Sequence, residues 1–327
     1  MNKNLLIVYV ILFSILSCQK NTPQKLYSKI VTAPGPEDIV LDKANNRILV
    51  SCDERRTGMA LQAAIMQIDL NTDICTALPI VNMPSIPFHP HGFDLQTVNG
   101  IDYLYIINHY RDSAYTNAVL QFEIKASQLE FVREYKHPLL ISPNDITVLP
   151  NGAFYFSNDK NSSNILEMLY SPYGGSVVYC NGATTWQKVD SIIGFPNGLY
   201  DEGDALYLAT SRNYAMYKYE MQSDGTLKNR KRITAINGMD NIIENGDDLI
   251  VSVHPDEIKF ALLSYFPQTL SPSKTYAINK QTGQARLIFD DDGKKISGSS
   301  TALVHGNDLY LAQVFDGFVL KIANYKY

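Results

Sequence analysis

Asn144-Asp145-Ile146-Thr147-Val148-Leu149-Pro150-Asn151-Gly152-Ala153-Phe154-Tyr155-Phe156 is the stretch that decides the fold. Two short polar residues open an apolar run, Asn151-Gly152 turns the chain, and an aromatic strand returns. Asn-Gly between two strand-like runs is a strong short-range hairpin signal, because both turn residues tolerate positive φ. Five further segments repeat the pattern. Their polar openings are Glu37-Asp38, His91-Gly92, Asn197-Gly198, Asp240-Asn241 and Ser300-Thr301. Their turns fall at Asn45-Asn46, Asn99-Gly100, Gly203-Asp204, Gly246-Asp247 and Gly306-Asn307. The six starts, at 37, 91, 144, 197, 240 and 300, are spaced by 43 to 60 residues. A hairpin unit with a period of about 50 residues is the mark of a propeller. The expectation is an all-β, six-bladed β-propeller with one four-stranded antiparallel sheet per blade. A β-sandwich would not repeat one dipeptide position six times. Sustained helical periodicity is absent; residues 164–170 suit a short helix.

In a propeller the first strand of every blade lines the axis, so equivalent strand starts converge at one face. Glu37, His91, Asn144, Asn197, Asp240, Asn241 and Ser300 would meet there. All but His91 offer oxygen. Carboxylate and amide oxygens suit a hard cation such as calcium, which takes about 6–8 of them. Glu37 and Asp240 together would balance its charge. Counting outward from the turns pairs His91 with His109 about Gly100, Asp240 with His254 about Asp247, and Asn144 with Asn158 about Asn151. Two histidines meeting beside a metal are candidate proton handlers.

Pro36-Glu37-Asp38-Ile39, Pro90-His91-Gly92, Ile107-Asn108-His109, Asn144-Asp145-Ile146, Asn197-Gly198, Asp240-Asn241-Ile242 and His254-Pro255 stand in the order seen in one family. Over residues 31–322 the chain resembles the paraoxonase/arylesterase family, within the wider gluconolactonase-like propellers. The resemblance implies a calcium-dependent hydrolase of lactones or aryl esters. It implies a catalytic Ca2+ on Glu37, Asn144, Asn197, Asp240 and Asn241. It also implies a structural Ca2+ on Asp38, Asp145 and a backbone carbonyl just after Gly92. His91 would be the general base and His109 would orient it. His254, Phe195 and Phe88 are the expected pocket residues, and Phe93, Tyr110 and Phe260 would add to an apolar mouth. Two features depart from the family. No cysteine near the C-terminus can make a terminal disulfide, so the ring would close by strand pairing, with residues 26–31 completing the last blade. Lys160 stands where the family's Asp-His step would put a proton-shuttle histidine. Residues 161–175 would cover the site. Two rivals are a sugar-lactone hydrolase and a non-catalytic, calcium-stabilised binding propeller, since propellers host many functions.

The N-terminus reads as an address. Lys3 precedes an apolar run over residues 5–16, too short for a span of about 20 residues. Ile15-Leu16-Ser17-Cys18 resembles a bacterial lipobox. Residues 1–17 are then a signal peptide, Cys18 the lipidated residue, 18–25 a tether and 26–327 one propeller domain. This places the protein lipid-anchored in a bacterial cell envelope, touching membrane through the anchor alone. The chain carries 28 Lys and Arg against 33 Asp and Glu, with no basic run. That balance gives no footprint for nucleic acid. Cys52, Cys75 and Cys180 form no C-x-x-C pair and read as structural thiols. Oligomeric state stays open.

Overall fold

A computed structural model describes residues 25–56, 58–60, 62–110, 117–160 and 173–327. Lipidation at Cys18, the signal peptide, the short helix at 164–170 and most of the 161–175 segment lie outside the described residues. The described chain is almost wholly β, in six antiparallel sheets. Their first strands are Pro36–Asp42, Pro90–Val98, Pro143–Val148, Pro196–Asp201, Met239–Asn245 and Ser299–His305. Each first strand touches that of the next blade, and Ser299–His305 returns to Pro36–Asp42. The ring is a six-bladed propeller. A two-residue strand, Ile80–Val81, adds a parallel fifth member to the second blade.

The Asn-Gly reading holds in atomic detail at the second blade. Val98 pairs with Ile101, leaving Asn99 and Gly100 as a two-residue loop with φ of 52° and 80°. Positive φ at both positions matches the twist of the flanking strands. Ring closure follows the strand-pairing expectation. Leu26–Val31 lies antiparallel to Phe318–Ala323, from Leu26 opposite Ala323 to Val31 opposite Phe318. The first described strand is therefore the outer strand of the last blade. Aromatic residues mostly pack blade against blade: Tyr105, Tyr155, Tyr207 and Tyr310, on four second strands, are all buried.

One irregularity recurs in all six blades. Between first and second strands the register shifts at Pro36/Asp38, Pro90/Phe93, Pro143/Ile146, Pro196/Leu199, Met239/Ile242 and Ser299/Ala302. A bulge leaves residues out of the ladder and re-aims them. The bulged residues are Glu37 in the first blade and both residues of the polar opening in the other five. The glycines among them have a steric reason. A Cβ on Gly92 would lie 2.4 Å from the Asn144 carbonyl oxygen, and one on Gly198 would lie 2.6 Å from that of Asp240. Adjacent strands approach that closely only without a side chain.

Candidate active site and cation-binding cluster

The bulges bring Glu37, Asn144, Asn197 and Asp240 to the lining of one 990 Å³ cavity, with Asn241 behind them in hydrogen-bond contact with Glu37. All five are buried. Glu37 Oε1 accepts from Asn241 Nδ2 at 3.0 Å, and Asp240 Oδ2 accepts from His254 Nε2 at 2.6 Å. Four other acceptors have no donor: Glu37 Oε2, Asn144 Oδ1, Asn197 Oδ1 and Asn241 Oδ1. Leaving one buried acceptor unsatisfied costs about 1–3 kcal/mol. Four such oxygens on neighbouring side chains are ligand atoms of the kind that a hard cation takes. Among the described residues no three His, Cys, Asp or Glu are placed to hold a metal ion by themselves, and three of the four unpartnered oxygens are amide oxygens of Asn144, Asn197 and Asn241.

Below it, Asp38 and Asp145 lie toward the central channel and tie blades together. Asp38 Oδ2 accepts from Phe93 N at 3.0 Å and Asp145 Oδ2 from Leu199 N at 2.6 Å. Their other oxygens accept from Ile39 N and Thr301 Oγ1, and from Ile146 N. Burial pushes the Asp38 carboxyl up to about 7. Burial first, then repulsion from Asp38, raises Asp145; the same two causes raise Glu37. A cation among them would relieve the repulsion.

The histidines meet as rings, 4.8 Å between centroids and 23° between planes, a stacked contact. Counting from the turn succeeded for this pair although the bulge offsets the backbone: His109 N pairs with the His89 carbonyl, not with His91. Asp240 and His254 are also joined. Asn144 and Asn158 are not. Asn158 Oδ1 instead accepts the backbone N–H groups of Ile141 and Ser142, because the register shift puts Pro143, not Asn144, opposite it.

The family description "Arylesterase" matches residues 45–320. The chain belongs to the arylesterase family. It is 26% identical over 243 residues to serum paraoxonase/lactonase 3 of Oryctolagus cuniculus, covering 70% of this chain and 67% of the relative. It is 25% identical over 264 residues to serum paraoxonase/arylesterase 1 of Homo sapiens, covering 77% and 74%. Among solved structures it superposes on a gluconolactonase of Xanthomonas campestris with a TM-score of 0.62 at 13% identity, covering 92% and 90% of the two chains. An auxiliary nutrient binding protein of Bacteroides thetaiotaomicron gives 0.56 at 9% identity, covering 92% and 76%. These structural likenesses establish the fold alone.

Within the family frame, the walls differ from the expected apolar mouth. Phe195, Phe260 and Tyr110 line the cavity with His254, and Phe260 stacks on the His254 ring at 3.8 Å. Phe88 does not. It packs edge-on against Phe122, half-buried on the apolar cluster between the first and second blades, where Phe93 is buried. Both turn inward because apolar residues of the first blade, Leu49 and Ile65, and of the second, Leu104 and Ile106, pack around them. Charged residues take part of the wall instead: Asp159, Lys160, Arg212 and Glu257. Arg212 reaches Glu257 at 3.3 Å and lies 5.1 Å from the Phe195 ring. Burial raises the Asp159 carboxyl against the pull of Lys160 and Arg212, and its Oδ1 has no donor. Glu257 and Phe260 sit on a helix, Glu257–Leu262, capped by Asp256 accepting from Lys259 N. Six residues give too little periodicity to be read from sequence, and only the Asp256 cap marks its start.

Sequence reasoning also missed two groups behind the pair. His89 Nδ1 lies 3.2 Å from Asp53 Oδ1, and the Arg55 guanidinium lies 3.1 Å from His91 Nδ1. Neither belongs to the repeated pattern, so nothing in the sequence singled them out.

Proposed function

We propose that this protein is a calcium-dependent hydrolase of lactones or aryl esters. The observation that carries the reading is the set of four buried oxygens without donors, on Glu37, Asn144, Asn197 and Asn241, beside Asp240. Glu37, Asn144, Asn197, Asp240 and Asn241 would hold the catalytic calcium, and Asp38 and Asp145 a second, structural one. The second set fits less freely, since its oxygens already accept N–H and O–H groups. When bound, the catalytic ion supplies Lewis-acid stabilisation of charge on a carbonyl oxygen.

The protein's own groups do the rest. His254 holds Asp240 in place. Tyr110, Phe195 and Phe260 line the cavity and shield bound substrate from bulk water. The His91–His109 pair moves a proton from water, a contribution worth about 10²–10⁴-fold. Family membership and relatives described as lactonases and arylesterases support an ester or lactone as substrate. The charged wall around Asp159 and Lys160 favours a second reading, a hydroxylated sugar lactone. The test is a panel of alkyl lactones, sugar lactones and aryl esters with the calcium-loaded chain. Turnover of at least one class is expected; none at all would leave a non-catalytic binding propeller.

A lipid anchor at Cys18 in a bacterial envelope is part of the same proposal. Among the described residues no helix is long and apolar enough to cross a membrane. Cys18→Ser is therefore expected to move the protein from the membrane to the soluble fraction. Continued membrane association would remove the anchor.

A further inference from the structure

Arg55 lies behind His91, just after the strand Arg47–Asp53. Its Nη1 donates to the carbonyls of Gly35 at 2.8 Å and Asp53 at 3.0 Å. Its Nη2 donates to the Pro90 carbonyl at 3.0 Å and lies 3.1 Å from His91 Nδ1. Every terminal N–H thus has an acceptor, and the guanidinium has no room to turn. Gly35, at φ 61°, leaves space for it; a Cβ there would sit 2.8 Å from Nη1.

A guanidinium only donates. His91 Nδ1 must therefore accept, and the proton of the neutral ring sits on Nε2. His109 meets the opposite kind of partner. Its Nε2 lies 2.6 Å from the Pro143 carbonyl oxygen, which only accepts. The proton of His109 is then on Nε2 and its basic lone pair on Nδ1. Such partners select the tautomer of each ring.

We propose that Arg55 is a positioning residue which, with the Pro143 carbonyl, divides labour within the pair: His109 takes the proton from water and His91 donates a hydrogen bond. This reverses the roles expected from the sequence, and it rests on the hydrolase reading above. In the addition step a water O–H bond breaks and its proton passes to His109 Nδ1. The water oxygen bonds to the carbonyl carbon, and the C=O π pair moves onto the carbonyl oxygen. On collapse that pair re-forms the C=O bond and the ester C–O bond breaks. The proton on His109 Nδ1 then goes to the departing alkoxide. His91 keeps its proton throughout, as a neutral imidazole hydrogen-bond donor can.

The experiment is ring-nitrogen NMR of the calcium-loaded full chain, with signals assigned through His91→Gln and His109→Gln, alongside kinetics on its best substrate. Both wild-type rings should show the Nε2–H form. Arg55→Met should let His91 populate Nδ1–H and lower kcat about 10–100-fold, the usual cost of losing a supporting partner, with KM within about twofold. Arg55→Lys should recover part of both, since an ammonium also donates. His109→Gln should cost more kcat than His91→Gln. An Nδ1–H His91 in wild type overturns the proposal. So does an Arg55→Met chain with unchanged His91 signals and kcat, or His91→Gln as the costlier loss. If Arg55→Met does not fold, the wild-type spectrum still decides. A wild type that hydrolyses nothing sinks the hydrolase reading, while the tautomers still test the role of Arg55.

Discussion

Chelator-treated protein should hydrolyse no ester and melt about 4 °C below the calcium-loaded form. A ligand bound only to the native state at a hundredfold excess over Kd adds about 2.7 kcal/mol. With an unfolding entropy of about 2.1 cal/mol/K per residue, a propeller of roughly 300 residues shifts by about 1.6 °C in Tm for each kcal/mol. The metal-free form should also carry a distinctive pH dependence. Burial raises Asp38 from 3.8 to about 7, and Glu37 and Asp145 move in the same direction. The native chain therefore holds protons that the unfolded chain has released. Stability falls with pH wherever the native state binds more protons. For Asp38 the loss runs between about pH 4 and pH 7. Without calcium, the chain should melt higher at pH 5 than at pH 8. With calcium in place, the ionised carboxylates face a cation and the fall should disappear. A melting curve indifferent to chelator at both pH values would remove the cation cluster from the account.

The double variant His91→Gln, His109→Gln should keep fold and calcium affinity while losing about 10²–10⁴-fold in kcat, the range for a lost proton-transfer group. Neither ring hydrogen-bonds the five proposed ligands of the catalytic ion in the way His254 holds Asp240, so the cluster should survive the change. Because the rings stack, the two losses should not add: residues in contact couple, and groups acting as a unit are strongly non-additive. The double variant is expected to fall little below the worse single one. A kcat within threefold of wild type, with calcium still bound, would show that the pair only packs.

Much of this site was legible in the chain itself. Six polar openings, each followed by a strand and a turn, carry both the propeller and the convergence of Glu37, Asn144, Asn197, Asp240 and Asn241. That information is local and repeated, so fold symmetry turns sequence positions into spatial ones. The His91–His109 contact was legible for the same reason, by distance from Gly100. The bulges were not, because a register shift is a choice between hydrogen-bond partners on two strands. That choice made the Asn144–Asn158 pairing fail while the side chains of His91 and His109 still met.

Ring closure shows the same division at longer range. The pairing of Leu26–Val31 with Phe318–Ala323 joins the first and last described strands, a contact that no local pattern specifies. The walls were harder still. Phe88 and Phe195 look alike in sequence, yet one packs on the apolar cluster between two blades and the other lines the cavity, since burial depends on what each strand packs against. Arg55 carries no pattern; its role follows from four acceptors, the carbonyls of Gly35, Asp53 and Pro90 and a ring nitrogen of His91. The sequence by itself determined the blades, their number and the oxygens at the axis, because a repeated hairpin specifies its own geometry. Tertiary structure alone decided which aromatic residues line the cavity and which partner each histidine nitrogen meets, because both depend on neighbours that different blades and loops supply.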